Sequence, residues 1–392
     1  MPGRQATGCA IYVLIDALGS ALLKDRSFLD DILVERHWLQ TVLGYSSAAI
    51  PSILSGRYPN EHGHWNLFYL SPESSPFRWV RSLGRLPRLA VENRAARKAI
   101  KEVSRRLSGY GGYFAIYNFP VARLPFFDLC ERRDIYQPGG LETCPSLFDI
   151  FCREGIKYEC FTYHQYTDAE IFSVVPERLR NSPAQVYFLY LSQLDAYLHF
   201  HIDDADGVAG RLRWYEEGLR QVYRAAVDRW GDARLFIFSD HGMTPVRWTY
   251  DLARDVDQLG LSVPEDFLPA YDSTMARFWI WSDRARRRLL EVLGDHPCGS
   301  VLKDAELERL GVWFPNGRYG HVVFLLHPGG IICPSDMGRI RFGGMHGYHP
   351  SEPTADAVLL ASVPVPKKVD HITGLHRLIL EDLGLATNGG KP

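Results

Sequence analysis

Residues 235–243, LFIFSDHGM, run from an apolar stretch directly into an acid and a histidine. Two other parts of the chain follow the same plan, because residues 11–16 read IYVLID and residues 186–195 read VYFLYLSQLD. Short runs that are apolar throughout are typical of parallel strands buried on both faces. The sequence therefore predicts an α/β fold whose central strands each end near an acid.

Three acids, Asp16, Asp195 and Asp240, stand at the predicted strand ends. In an open α/β sheet the ligand site lies outside the carboxyl ends of the strands, so these side chains are expected to converge on one point. Any one of them could instead cap the helix that follows. Three together, two of them with a histidine nearby, favour a functional site.

Composition limits the classes of protein that remain. The chain has 392 residues, of which 46% are hydrophobic and 23% are charged, as in ordinary globular proteins. A formal net charge of −2 argues against binding of duplex nucleic acid through bulk charge. Seven scattered cysteines without a CxxC pair indicate neither a disulfide framework nor a cysteine zinc site.

The first residues carry one short apolar run, which is too short for a signal peptide core or a membrane span. We therefore expect a cytoplasmic protein without a transmembrane segment. The sequence does not indicate the oligomeric state.

A change of composition predicts an inserted cap at residues 73–143, with residues 1–72 and 144–392 forming the catalytic core. Residues 78–106 hold ten Lys or Arg residues and two acids, a local charge of +8. Within them Ala95, Ala99, Val103 and Leu107, with Ile100 beside them, recur at helical spacing, which predicts an amphipathic basic helix.

That basic helix suggests a second class of function, a peripheral membrane protein without catalytic activity. Cap aromatic residues (Trp79, Tyr110, Tyr113 and Phe114) would then contact anionic lipid beside the helix. The same contacts would also suit an enzyme with a lipid-linked substrate. A charged helix face that is merely solvated is the commoner explanation of such a pattern.

Six side chains have the nitrogen and oxygen donors that a metal site needs: Asp16, Asp195, His199, Asp240, His241 and His346. Asp195 and His199 are four residues apart, which places both on one face of a helical turn. Taken alone, this pair is more often a surface contact than a metal site. The full set suits two divalent ions, for which three histidines favour zinc and which manganese would also fit.

The nucleophile is expected in residues 43–66, LGYSSAAIPSILSGRYPNEHGHWN, at a glycine-led turn that opens a helix. Ser46 and Ser47 are the candidates, since the N-terminal amides of a helix favour a phosphate group. Both serines could equally be helix caps. A metal-bound serine would need no histidine base.

These residues together resemble the nucleotide pyrophosphatase/type I phosphodiesterase branch of the alkaline phosphatase superfamily. The matching motifs, in chain order, are Asp16, SGRYPNEHG (55–63), Asp195 with His199, SDHGM (239–243), YDSTMARFW (271–279), RYGHVVFLLHPGG (318–330) and GGMHGY (343–348). The resemblance implies an alkaline-phosphatase-like sandwich, in which a central, mostly parallel sheet is flanked by helices and carries an inserted cap.

The same resemblance implies roles for the site residues. One ion would be bound by Asp195, His199 and His346, and the other by Asp16, Asp240, His241 and the nucleophile oxygen. Counting back nine residues from Ser55 gives Ser46 as the nucleophile, with Ser47 as the second candidate because Ala48 replaces the family's proline. Asn66 lies one residue from the position of the asparagine that holds a phosphoryl oxygen.

The resemblance implies hydrolysis of a phosphodiester or phosphoanhydride bond through a covalent phosphoseryl intermediate. The substrate would be a small molecule, either a nucleotide or a lipid-linked phosphoester. A phosphomonoesterase or a phosphonate monoester hydrolase of the same superfamily is the alternative enzyme. A formylglycine sulfatase is discounted, because Ala48 and Ile50 stand where it needs proline and arginine.

Overall fold

A computed structural model describes residues 8–85, 87–365 and 368–385. The strands are β1 (Cys9–Ile15), β2 (Glu35–Leu39), β3 (Phe68–Leu70), β4 (Phe127–Leu129), β5 (Tyr158–Phe161), β6 (Val186–Leu191), β7 (Ala233–Phe238), β8 (Thr244–Pro245), β9 (Trp248–Tyr250), β10 (Phe267–Tyr271), β11 (Met275–Ile280), β12 (Gly299–Val301), β13 (Val322–Leu326), β14 (Gly330–Ile332), β15 (Gly344–Met345) and β16 (Ala357–Ala361). The α-helices are α1 (Ser20–Leu23), α2 (Ser46–Ser55), α3 (Pro59–His62), α4 (Arg88–Val91), α5 (Arg94–Ser108), α6 (Leu147–Arg153), α7 (Asp168–Asn181), α8 (Gln193–His201), α9 (Ala205–Trp230), α10 (Leu252–Asp257), α11 (Asp283–Leu293), α12 (Asp304–Arg309) and α13 (Gly374–Asp382).

A six-stranded sheet in the order β2-β16-β7-β1-β6-β5 forms the centre of the fold. Strand β1 pairs in parallel with β6 on one side and with β7 on the other, and all seven of its residues are buried. Strand β16 is antiparallel to both β7 and β2. The three apolar runs of the sequence are therefore the three central strands, as predicted.

Helices cover both faces of this sheet. Alternate residues of β1 explain the arrangement, since Ile11 and Val13 belong to the cluster that packs on α7 and α9. Tyr12 and Leu14 belong to the opposite cluster, which packs on α2, α6 and α13. Burial on both faces accounts for the lack of polar alternation in these strands. The predicted α/β class, with a mostly parallel sheet between helices, is confirmed.

A second sheet, in the order β10-β11-β13-β12, is antiparallel throughout. Its strand β11 carries the buried Arg277, which pairs with Asp272 and donates to the Phe68 carbonyl oxygen at 2.8 Å. A buried cation needs such partners to offset its lost hydration. The contact ties the second sheet to β3, the strand that precedes the predicted cap.

The predicted cap contains α4, α5, β4 and two short 3-10 segments, and β4 pairs with β3. Its buried apolar residues up to Leu129 share one cluster with Leu268, Ala270 and Trp279 of the second sheet. Those from Cys130 to Leu141 belong instead to the cluster that packs on α2. The division into cap and core stays a prediction. Among the described residues, no helix is both long enough and apolar enough to span a membrane.

The predicted basic helix exists as α5, but the face that it packs differs from the predicted one. Ile100 and Ser104 are buried, whereas Val103 and Leu107 have exposed fractions of 40% and 70%. Ser104 accepts a hydrogen bond from the Trp79 indole nitrogen at 3.0 Å, which explains how a polar residue can face inward.

Candidate active site

The carboxyl ends of the three central strands bring three acids together, as the sequence predicts. Asp16 directly follows β1, Asp240 lies two residues after β7, and Asp195 lies in the first turn of α8 after β6. Because β1 lies between β6 and β7, these side chains meet at one edge of the sheet. Asp16 and Asp240 are buried, and Asp195 is half-buried.

Two groups of donor atoms form at this edge, each compact enough to hold one metal ion. Asp16, Asp240 and His241 make one group, and Asp195, His241 and His346 make the other. In each group the ligand atoms lie within 4.8 Å of one another. His241 belongs to both groups, so the two candidate metal positions are adjacent.

His199 lies beside the second group rather than within it, as far as the described residues show. Its Nε2 atom is 3.2 Å from Asp195 Oδ2, and its Nδ1 atom is 2.9 Å from the Gly344 carbonyl oxygen. A carbonyl oxygen only accepts, so Nδ1 is assigned the proton and Nε2 presents its lone pair toward Asp195. A histidine held in this way is ready to bind a cation. Its predicted role as a ligand stays a prediction.

His241 is oriented by the same device. Its Nδ1 atom is 3.0 Å from the Gly242 carbonyl oxygen, and its Nε2 atom is 3.1 Å from Asp240 Oδ2 and 3.5 Å from Asp16 Oδ1. The His241 ring stacks on that of His346 with centroids 3.8 Å apart. Nε2 thus presents its lone pair to two carboxylates. Because carboxylate oxygens also only accept, this contact is unfavourable unless a cation lies between the groups.

Two glycines allow the chain to pass close to this centre. A Cβ atom on Gly242 would lie 2.3 Å from the Thr354 carbonyl oxygen, so only glycine fits. Gly347 has a φ of +89°, and a Cβ atom there would also lie 2.6 Å from the Tyr45 ring.

The electrostatics of the centre favour bound cations. Burial, followed by the charges of Asp240 and Asp195, raises the pKa of Asp16 well above its usual value. Burial opposes ionisation of Asp195 as well, but the neighbouring imidazoles of His199 and His346 hold its pKa below the usual range. Asp16 Oδ1, Asp195 Oδ1 and Asp240 Oδ2 are buried and find no hydrogen-bond partner among the described residues. Unpaired buried acceptors of this kind fit divalent metal ions.

Ser46 and Ser47 point to different partners. Ser46 is the first residue of α2, and its Oγ atom lies 3.0 Å from His241 Nε2, at the junction of the two donor groups. Ser47 donates its hydroxyl to the Trp65 carbonyl oxygen at 2.9 Å. The two candidates thus differ in position, since Ser46 adjoins the donor groups and Ser47 makes a structural contact. The role of either serine as nucleophile stays a prediction.

Asn66 is fully buried near the nucleophile segment. Its amide nitrogen contacts the Met275 sulfur at 3.5 Å, and its Oδ1 atom has no partner among the described residues. The amide group has unused hydrogen-bonding capacity, but no contact joins it to Ser46. Its predicted role in holding a phosphoryl oxygen stays a prediction.

Sequence reasoning missed the residues that support the ligands. Tyr190 of β6 donates its hydroxyl to Asp16 Oδ2 at 2.5 Å, and Thr41 donates to the Asp240 carbonyl oxygen at 2.6 Å. Tyr190 lies within an apolar run, so nothing distinguishes it there from a core aromatic residue. Thr41 precedes the nucleophile segment without any motif of its own.

Comparison with solved structures shows the fold. Murine ectonucleotide pyrophosphatase/phosphodiesterase 5 matches with a TM-score of 0.67 and 16% identity over 98% of this chain and 97% of that one. An inactive variant of the murine protein in complex with AMP matches with a TM-score of 0.66 and 17% identity over the same shares. The human protein gives 0.66 and 14%, over 98% and 96%.

A search of curated proteins finds no significant match. The model of the type I phosphodiesterase/nucleotide pyrophosphatase family, in contrast, matches residues 11–349. The matched region begins in β1 and ends just after His346, so it contains all six predicted ligands and both serines. This chain therefore belongs to the type I phosphodiesterase/nucleotide pyrophosphatase family.

Proposed function

We propose that this protein is a metal-dependent hydrolase of phosphodiester or phosphoanhydride bonds, with Ser46 as its nucleophile. The observation that carries the proposal is the position of Ser46 Oγ, which lies 3.0 Å from Nε2 of His241, the histidine that the two donor groups share. A nucleophile at this junction can reach a phosphorus atom whose oxygens face both groups. Membership of a phosphodiesterase family supports the same reaction class.

Two divalent ions would be held by Asp16, Asp240 and His241 on one side and by Asp195, His346 and His199 on the other. When bound, they would lower the pKa of the serine hydroxyl and stabilise negative charge on the phosphoryl oxygens. Zinc suits the three histidines, and manganese would fit the same donors.

The chain's own residues account for the remaining chemistry. Ser46 Oγ attacks phosphorus and displaces the leaving-group oxygen, which takes up a proton, and a phosphoseryl bond forms. Water then attacks the same phosphorus atom, the bond to Ser46 breaks, and the serine hydroxyl regains its proton. The N-terminus of α2 begins at Ser46 and adds a partial positive charge beside the phosphoryl group.

The decisive experiment compares bis-p-nitrophenyl phosphate with p-nitrophenyl phosphate as substrates of the metal-loaded protein. We expect the diester to turn over faster and a chelator to abolish the activity. Faster turnover of the monoester would identify a phosphomonoesterase of the same superfamily. The AMP complex of the murine relative makes a nucleotide diester the natural compound to test next.

A pair of serine variants tests the nucleophile. Ser46→Ala should lower kcat by about a thousandfold or more while leaving the bound-metal content unchanged. Ser47→Ala is the matched control and should lose far less activity, since its hydroxyl only contacts the Trp65 carbonyl oxygen. If Ser46→Ala is as active as the unaltered protein, the mechanism is refuted. If Ser47→Ala loses more activity than Ser46→Ala, the nucleophile is Ser47.

A further inference from the structure

Exposed apolar side chains lie beside the candidate active site. We call this group the mouth patch and define it as Tyr117, Phe200, Ile340 and Phe342. Ile340 has an exposed fraction of 70%, Phe200 of 59% and Tyr117 of 42%, while Phe342 is half-buried. Large apolar side chains that are exposed together often mark an interaction surface.

Contacts place the mouth patch next to the metal ligands. The Phe342 ring lies 5.1 Å from the His199 ring and 5.4 Å from the Phe200 ring, measured between centroids. The Gly343 amide donates to the His199 carbonyl oxygen at 2.7 Å, which fixes the loop that carries Ile340 and Phe342 on α8. A partner of this patch would therefore be close to the candidate active site.

Tyr117 brings the cap to the same place. The amide of the next residue, Asn118, donates to the Asp336 carbonyl oxygen at 2.9 Å, in the loop that leads to Ile340. The φ of Tyr117 is +39°, a strained value for a residue with a side chain. Arg97 of α5 fixes this conformation by donating to the Tyr117 carbonyl oxygen at 2.8 Å.

Basic residues lie on both sides of Ile340 in the mouth patch. Arg339 and Arg341 flank Ile340, and all three are exposed. Arg339 also lies close enough to α5 that burial and then the Arg339 charge lower the pKa of Arg97. In the part of the chain that the structure describes, neither Arg339 nor Arg341 forms an ion pair with an acid.

Helix α5 extends this positive charge across the cap. Lys98 and Lys101 are exposed on it, and Arg105 and Arg106 share the single acid Glu102. Of the four aromatic residues expected from the sequence to meet lipid, Tyr113 adjoins this surface, because its hydroxyl lies 2.5 Å from that of Tyr117. The other three do not. Phe114 is buried, Trp79 donates to Ser104, and Tyr110 donates to Asp128.

We propose that the mouth patch docks on an anionic lipid bilayer, with Ile340 and Phe200 inserted and the surrounding basic residues on the lipid headgroups. Apolar side chains interleaved with arginines that pair with no acid in the described chain are complementary to a surface that offers negative charge above hydrocarbon. Docking would bring the candidate active site to the bilayer. If the proposed function holds, its substrates would then include phosphodiesters or phosphoanhydrides carried by lipids.

Vesicle flotation tests the docking directly and does not depend on catalysis. The full-length protein is mixed with vesicles of phosphatidylcholine alone or with 30% phosphatidylglycerol, at low and at high salt. We expect binding to the anionic vesicles at low salt only. Binding that is absent, or that is equal for the two compositions, would overturn the proposal.

Paired variants locate the surface. Ile340→Glu should lower the partition onto anionic vesicles at least tenfold, whereas Val34→Glu should not. Val34 is as exposed, at 66%, but its amide bonds to Ala361 at the far edge of the sheet, away from the acids. Arg339→Ala should lower the partition about fivefold. Lys157→Ala should leave it unchanged, because Lys157 is exposed before β5, at the end of the sheet opposite the acids.

Hydrolysis of bis-p-nitrophenyl phosphate by the same four variants separates the two proposals. We expect each variant to keep the turnover of the unaltered protein. Equal loss of lipid binding in Val34→Glu and Ile340→Glu would refute the mouth patch as the docking surface. Absence of turnover in all proteins, with docking intact, would instead refute the proposed function alone.

Discussion

Asp16 is held by a hydroxyl from the neighbouring strand, and this contact gives a test at the scale of a single residue. Tyr190→Phe removes the donor to Asp16 Oδ2 while keeping the ring. We expect metal affinity to fall by about ten- to a hundredfold, because outer-shell donors orient the ligands they touch. Competition between the protein and a chromogenic chelator for the metal ion measures this affinity.

Tyr187→Phe is the matched control on the same strand. Its hydroxyl contacts the Arg178 carbonyl oxygen on the outside of the sheet, so its loss should not change metal affinity. Unchanged affinity in Tyr190→Phe would show that the Asp16 contact does not orient a ligand.

Which site residues the sequence can predict depends on their surroundings. Asp16 and Asp240 follow strands that are otherwise apolar, so these acids stand out in the sequence pattern even though either could cap a helix. Tyr190 lies inside such a strand, where an aromatic residue is expected in any case. The sharing of His241 between two donor groups depends on the distance between β1 and β7, which only the folded sheet provides.

The long helix α9 offers a test at the scale of one element, because two of its glycines meet different surroundings. A Cβ atom on Gly210 would meet only an arginine terminus at 3.9 Å, whereas one on Gly218 would lie 2.4 Å from the Phe172 ring. Gly210→Ala should therefore stabilise the protein by about 0.5–1 kcal/mol. Gly218→Ala should destabilise it by about 1–3 kcal/mol through overpacking against α7.

Urea unfolding of both variants measures these changes in the free energy of unfolding. A stabilising effect of Gly218→Ala would mean that α7 and α9 are packed less closely than the structure has them.

Helix α5 shows why hydrophobic spacing can identify an element without identifying its buried face. The apolar stripe predicts the helix correctly and consists of Ala95, Ala99, Val103 and Leu107. The packed side instead carries Arg97 and Ser104, which have partners in Glu92 and Trp79. Buried polar side chains are stable when they are hydrogen-bonded, and a sequence pattern does not reveal those partners.

At the scale of the whole molecule, the buried carboxyl group of Glu131 makes stability depend on pH. Burial raises its pKa from 4.5 to about 7. The folded state therefore keeps a proton that the unfolded chain loses above pH 4.5, so the free energy of unfolding falls as the pH rises from there to 7. The difference of about 2.5 pKa units corresponds to roughly 3 kcal/mol.

Glu131→Gln should remove this dependence. Urea unfolding at pH 5 and at pH 8, with equal metal content, is expected to give a flatter pH profile for the variant by about that amount. Glu177→Gln, at an exposed position of α7, should leave the profile unchanged. A steep profile in Glu131→Gln would mean that other groups cause the dependence.

The place of β1 at the centre of the sheet also has a consequence for synthesis. Both of its partners, β6 and β7, lie more than 160 residues later in the chain. At a translation rate of about 5–20 residues per second, the ribosome needs roughly 10–35 seconds to reach β6. During that interval a wholly apolar strand has neither neighbour available. The yield of folded protein in a cell should therefore depend on chaperones that bind nascent chains.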